Sequence, residues 1–325
     1  MQRLRTSDLG VPAAICLAAS IFLLVASLHS TNFATLTVHG VANGMIYGSL
    51  ALALVLIYQA THVINFAQGE LATLTTFIAY QLIQWGLSYW EAFFATLAIA
   101  FVLGVVLQVT VIRPVQHRSV IATVIVTLGL LLLIDGIISW KWGAQLLSMP
   151  SPFGSIADQY DVGGVYIQHQ WVGTVVVVLL SLAAVWALFR FTKLGLAMRA
   201  AALRPAAASL AGVRVEAMLA IGWGLAAVLG AVAGLMAEPS NLFLDPAFMQ
   251  PILLYAFAAA AVGGLESPVG AVVGGVAIGV FQSMVIGYLP GLSSNLQIPL
   301  TFAVILVILL VKPTGLFGHR QVQRV

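Results

Sequence analysis

The chain has 325 residues, of which 61% are hydrophobic and only 7% charged, against about 25% charged in a typical soluble protein. A mean hydropathy of +1.07 leaves too little polar side chain to coat a water-soluble globule, which excludes soluble and disordered classes. The formal charge of +3 has meaning only by position along the chain, and no nucleic-acid partner is expected.

At about 20 mostly apolar residues per span, this composition caps the crossings near ten. Apolar segments bounded by polar punctuation run over 10–28, 40–58, 71–88, 92–112, 119–140, 171–189, 217–236, 251–264, 269–288 and 296–311. The expectation is an all-α polytopic membrane protein of about ten transmembrane or partly broken helices. The first segment follows Arg3 and Arg5 and has two readings, a span or a cleaved signal peptide. Its length and the lack of a small-x-small site after it favour a span. The single cysteine, Cys16, lies inside that segment, so no disulfide framework or cysteine metal site is available.

Lys and Arg stay on the cytoplasmic side of short loops. With the amino terminus inside, Arg3, Arg5, Arg113, Arg118, Arg190, Lys193, Arg199, Arg204, Arg214, Lys312, Arg320 and Arg324 are cytoplasmic, and only Lys141 is outside. Glu91, Asp158, Asp161, Glu238 and Asp245 fall in outer loops. Both termini are therefore expected in the cytoplasm. The whole chain, 1–325, reads as a single membrane domain. Its outer loop at 141–170 is turn-rich, with Pro150–Gly154 and Gly163-Gly164. Its inner loop at 190–216 is Ala-rich and Arg-dotted, which points to one or two short helices at the membrane surface.

Several of the 30 glycines recur at four-residue spacing: Gly40, Gly44 and Gly48; Gly230 and Gly234; Gly270 and Gly274; Gly275 and Gly279. That spacing lines one helix face with small residues and lets two backbones approach. Packing inside the bundle and packing against another subunit are both open at this stage.

Two stretches interrupt the apolar pattern in a similar way. They are Thr61-His-Val-Ile-Asn-Phe-Ala-Gln-Gly-Glu70 and Gly263-Gly-Leu-Glu-Ser-Pro-Val-Gly270. Equivalent interruptions in two halves point to a transporter and to broken helices beside its path. Asn65, Gln68, Glu70, Gly263, Gly264 and Glu266 are the candidate path residues. Glu70 and Glu266 have a second reading, as helix-start acids near the cytoplasmic face that offset the amino-terminal dipole. Asp135 lies deeper in its span, where a carboxylate is costly, and a hydrogen bond to a neighbouring helix is its first reading.

No G-x-x-x-x-G-K-[ST] run, H-E-x-x-H helix or G-x-S-x-G elbow occurs. The chain thus reads as a transport subunit rather than an enzyme, with no cofactor of its own. Whether energy comes from an ion gradient or from partner ATPases docking on the basic inner loop stays open on these residues.

Four blocks bear on that choice. Gly44-Met-Ile-Tyr-Gly-Ser-Leu-Ala-Leu-Ala-Leu-Val-Leu-Ile-Tyr58 with Val63–Glu70 resembles the permeases of branched-chain amino-acid ABC importers. So do Gly195-Leu-Ala-Met-Arg-Ala200 running on to Val215, the block Ala256–Gly275, and Pro313-Thr-Gly-Leu-Phe317. The resemblance covers 40–318 in the family's order, and I-N-F-A-x-G-E is similar to the shorter of its two permeases. Two departures stand out: Gln59 replaces a commonly small residue, and Leu203-Arg204 replaces acidic or amide residues.

The resemblance implies an ABC importer permease fold, a second homologous permease, two cytoplasmic ATPase subunits that bind ATP, and a periplasmic solute-binding protein. It implies a bacterial inner-membrane location and a loop that couples to an ATPase through Arg199, Ala200, Arg204, Pro205, Ala208 and Gly212. Leu, Ile or Val are the implied solutes. Another small solute, such as urea, an amide or an aromatic acid, is the alternative, and an ion-coupled carrier stands behind it.

Overall fold

A computed structural model of the chain describes residues 30–288, apart from 62, 117, 144, 145, 156 and 242, with a few positions beyond that include 315–317. The expected first segment, all but single positions of the last, and both termini lie outside the described residues.

Helices α1 (Ser30–Thr61), α2 (Gln68–Gln84), α3 (Tyr89–Leu107), α4 (Arg113–Gln116), α5 (Val120–Trp142) and α6 (His169–Phe191) make up the first part. Helices α7 (Lys193–Leu203), α8 (Pro205–Leu210), α9 (Val215–Asn241), α10 (Met249–Gly263) and α11 (Pro268–Tyr288) follow. A π-helical turn, Gln108–Ile112, joins α3 to α4. Among the described residues, six helical stretches are long and apolar enough to cross a membrane, one of them being α3 continued through its π turn and α4. Helices α2 and α10, with 17 and 15 residues, are shorter.

Polar residues at the segment edges start these helices. The Glu91 carboxylate accepts from the Ser88 backbone N–H at 2.9 Å and from its hydroxyl at 2.8 Å, which begins α3. Ser119 accepts from the Ala122 N–H at 3.1 Å to begin α5, and Thr192 from the Gly195 N–H at 3.0 Å to begin α7. Each satisfies one of the amide donors that the first helical turn leaves open.

Helices α1 and α9 sit at the centre of the bundle, while α3, α5 and α6 lie at its periphery with large exposed apolar side chains. The glycine ladders decide this arrangement. A Cβ added to Gly44 would stand 2.6 Å from the Val276 Cα, and one added to Gly40 2.6 Å from the Val280 Cα. Gly275 and Gly279 face Gly44 and Gly48 from the opposite side, so α1 and α11 touch backbone to backbone. Gly234 meets Ala72 and Thr76 of α2, and Gly274 meets Ala259 of α10. All four ladders are therefore used inside this chain, where close approach converts small side chains into van der Waals contact.

The two long connections lie at opposite ends of the bundle. The Arg113 and Glu216 side chains pair at one end, which also carries Arg190, Lys193, Arg199, Arg204 and Arg214 and is called the basic end below. At the other end, Leu147 and Leu244 form a short antiparallel bridge. There the 146–168 stretch contains a hairpin of β1 (Gln159–Val162) and β2 (Val165–Gln168). Gly163 and Gly164 both have positive φ, 65° and 85°, the requirement of a two-residue hairpin turn. Sequence reading found the turn but not the strands, because four residues on each side are too few to show an alternating pattern.

Candidate functional site

The first interruption is a real break in the helical backbone. Helix α1 ends at Thr61, residues 63–67 are non-helical, and α2 begins at Gln68. Asn65 makes the new helix start: its Oδ1 accepts from the Ala67 N–H at 3.1 Å, and its Nδ2 donates to Gln68 Oε1 at 3.2 Å. Gln68 Nε2 in turn donates to the Ala226 carbonyl at 2.9 Å. Both amides are fully buried, and their hydrogen bonds lock the break rather than face open space.

The height of the break follows from α9. Ala226 lies roughly 17 Å along that helix from Val215 at 1.5 Å per residue, near the middle of its 27 residues. Helix α2 therefore starts deep in the bundle and climbs away from the basic end. Glu70, in its first turn, is buried at this mid-level and not at the end of the bundle. The reading of Glu70 as an acid near the cytoplasmic face is corrected accordingly. Its sequence position just after a short turn hid the fact that residues 63–67 regain height before the helix resumes.

Glu70 Oε1 accepts from Gln250 Nε2 at 3.3 Å, while Oε2 has no partner among the described residues. Gln250 is exposed, on the first turn of α10. The carboxylate thus lies directly beneath an accessible face shared by α2 and α10. The Phe66 and Phe257 rings meet across that face at a tilt of 45°, with centroids 5.5 Å apart, and Leu74 and Leu254 are half-buried on it. Asp135 on α5 is half-buried. Such an arrangement can offer a small molecule an apolar surface with one acid and one amide, at a depth where water is scarce.

The second interruption differs. Gly263 closes α10, Gly264 takes φ 101°, and Ser267 starts α11 by accepting from the Gly270 N–H at 3.0 Å. This turn sits at the basic end: Gln59, in the last turn of α1, donates to the Glu266 carbonyl at 2.7 Å. Gly263 and Gly264 are buried and Glu266 is exposed. The two interruptions are alike in composition but lie at different depths. The Leu316 and Phe317 N–H groups donate to the Val262 and Gly263 carbonyls at 2.7 and 3.1 Å, which seals the turn with the chain's last motif. Gln250 and the Gln59 contact escaped sequence reading, because they pair residues 180 and 207 apart with no local signal beyond an amide in apolar surroundings. The Pro313–Phe317 motif was visible in the sequence, but not its docking on the end of α10.

The basic inner loop folds into α7 and α8. Arg204 separates them, Pro205 begins α8, and Ala208 is its buried anchor. Arg199, Arg204, Pro205 and Gly212 are exposed and Ala200 is half-buried, while Leu203 and Leu210 stand out with most of their surface bare. Gly212, at φ 84°, makes the sharp exit toward α9.

Comparison with known proteins adds a family to this geometry. Residues 36–311 match the family model described as branched-chain amino acid transport system / permease component. The high-affinity branched-chain amino acid transport system permease protein LivH of Salmonella typhimurium is 26% identical over 302 residues, 88% of this chain and 96% of that protein. The probable branched-chain amino acid transport permease protein LivH of Methanocaldococcus jannaschii is 31% identical over 251 residues, 74% of this chain and 77% of that protein. Among solved structures, PsaBC from Streptococcus pneumoniae in complex with Fab is 18% identical with a TM-score of 0.47, covering 91% of this chain and 97% of that one.

Proposed function

The chain belongs to the family of branched-chain amino acid transport system permease components, and from that premise we propose that it is the membrane subunit of an ATP-driven, binding-protein-dependent importer of Leu, Ile and Val. The observation that carries the reading is the family match over 36–311 joined to a helix break that sets one carboxylate, Glu70, under an accessible apolar face at mid-depth.

In this reading the chain is multi-pass in a bacterial inner membrane, with about ten helices once the segments at 10–28 and 296–311 are counted. The basic end and both termini face the cytoplasm, in keeping with the positive-inside distribution of Lys and Arg. The stretch at 146–168, with its β1–β2 hairpin, faces the periplasm and a solute-binding protein. A second homologous permease covers the α2–α10 face, and the path runs between the two subunits. Asn65 and Gln68 hold the path's broken wall, Glu70 with Gln250 borders it, and Gly263, Gly264 and Glu266 stand at its cytoplasmic mouth.

Work enters through α7 and α8. Two ATPase subunits bind ATP, one against each permease, and this chain has no cofactor of its own. Arg199, Ala200, Arg204, Pro205, Ala208 and Gly212 form the surface that receives the ATPase, with exposed Leu203 and Leu210 as its apolar anchors. Closure of the ATPases shifts this loop and, through α9, the wall on which Gln68 is fastened. Solute choice rests mainly with the binding protein, since a permeation path needs weak and transient sites for release.

The test is reconstitution of the tagged chain, with the subunits that co-purify from its native membrane, into vesicles. ATP-dependent leucine uptake that needs the cognate binding protein supports the reading. Uptake of urea, an amide or an aromatic acid in place of leucine replaces the solute but keeps the importer. Uptake driven by an ion gradient by the chain alone overturns it.

A further inference from the structure

A cavity of about 780 Å³ opens at the basic end, between the π turn after α3 and the start of α9. Its upper walls are apolar, from Val105 and Val109 on one side and Ala220 and Ile221 on the other. Gln108 lines it and has no exposed surface, yet neither Nε2 nor Oε1 finds a partner among the described residues. Leaving both ends of a buried amide unmade is costly, so the side chain is poised for a ligand that the cavity admits. The wide turn of the π helix begins at Gln108, and such turns recur at functional sites.

The rim carries the opposite chemistry. Arg113 follows the π turn directly and pairs with Glu216 across the opening, and the exposed Arg214 lies beside them. Two guanidinium groups against one carboxylate leave a net positive mouth. Beside it, Val106 near the end of α3 and Val109 in the π turn are about half exposed, a surface that a membrane-spanning helix turns toward hydrocarbon.

We propose that this cavity binds an anionic phospholipid, its phosphate at Arg113 and Arg214, an ester carbonyl at Gln108 Nε2, and acyl chain against Val105 and Ile221. The order of chemistries along the cavity matches that of a lipid: cation at the mouth, amide about one turn deeper, apolar wall beyond. Basic pockets between membrane helices suit anionic headgroups for this reason. The proposed orientation enters only in making the cytoplasmic leaflet the source of the lipid.

The full chain, with its co-purifying subunits, is placed in nanodiscs of equal phosphatidylglycerol and phosphatidylcholine, and retained lipid is read by native mass spectrometry. The wild type should keep phosphatidylglycerol over phosphatidylcholine by about fivefold, the share expected of one arginine at a membrane surface. Arg214→Gln should bring that ratio close to one. Gln108→Leu, which removes an unpartnered polar group and so should fold well, should lower retention of both lipids about threefold and leave their ratio unchanged, since both carry the ester. Equal retention by the wild type overturns the proposal, as does a ratio unmoved by Arg214→Gln. Loss of an ATPase subunit from Arg214→Gln with the lipid ratio intact also overturns it and gives the surface to the ATPase. None of these readouts needs ATP or solute, so the result is independent of whether the chain proves to be an importer.

Discussion

Gln68 Nε2 lies 2.9 Å from the Ala226 carbonyl oxygen, and this bond joins the first residue of α2 to the middle of α9. It sets the height of the helix break and, with it, the depth of Glu70. A buried amide that satisfies a carbonyl in a dry environment is worth about 1 kcal/mol, and stranding its partners costs more. Gln68→Leu should therefore lower stability by about 1–2 kcal/mol, read as a fall in the thermal unfolding midpoint in detergent. An unchanged midpoint removes the bond from the fold's supports.

The glycine contacts predict a contrast within one class of residue. A Cβ at Gly44 meets the Val276 Cα at 2.6 Å, and backbone cannot step aside as a side chain can. Gly44→Ala should cost about 1–3 kcal/mol through overpacking. Gly136 on α5 has nothing within 4 Å of its added Cβ, so Gly136→Ala should stay within about 0.5 kcal/mol of the wild type. Equal effects on the yield of monodisperse protein would contradict the α1–α11 contact.

Glu70 tests the proposed path. Glu70→Gln keeps the size and the bond to Gln250 while removing the charge. Uptake should fall about tenfold, the equivalent of roughly 1.4 kcal/mol of lost interaction, with normal recovery of partner subunits. Normal uptake by an intact complex takes Glu70 out of the mechanism.

Gly212 tests the coupling surface. Its φ of 84° is costly for a β-branched residue, by about 1–2 kcal/mol, and the added side chain meets open space rather than a neighbour. Gly212→Val should leave the chain in the membrane but reduce ATPase recovery and uptake together. Retention of both separates this loop from energy coupling.

Much of this architecture was legible beforehand. Seven of the apolar segments coincide with α2, α3, α5, α6, α9, α10 and α11 to within five residues at each end, and an eighth lies inside α1, which begins ten residues earlier, because the transfer free energy of a span is summed along the chain and needs no tertiary knowledge. The Ala-rich inner loop likewise forms short helices. The site was legible only as a motif: Asn65, Gln68 and Glu70 were marked together, yet two prove to be fasteners and one lies under an open face. Gln250, 180 residues on from Glu70, carried no mark of its role.

Hydropathy and the positions of Lys and Arg thus determined, from sequence alone, that the chain is a helical membrane protein with one basic end. The four blocks at 44–70, 195–215, 256–275 and 313–317 carried its family resemblance. Only the tertiary structure decided that the glycine ladders serve internal packing, that Glu70 sits at mid-depth while Glu266 sits at the end, and that the Leu316 and Phe317 backbone closes the second interruption. The reason is physical. Burial in a membrane is a property of each segment by itself, whereas depth and partnership depend on contacts between helices hundreds of residues apart, where a single hydrogen bond such as Gln68 to Ala226 selects one height among several of similar hydrophobic energy.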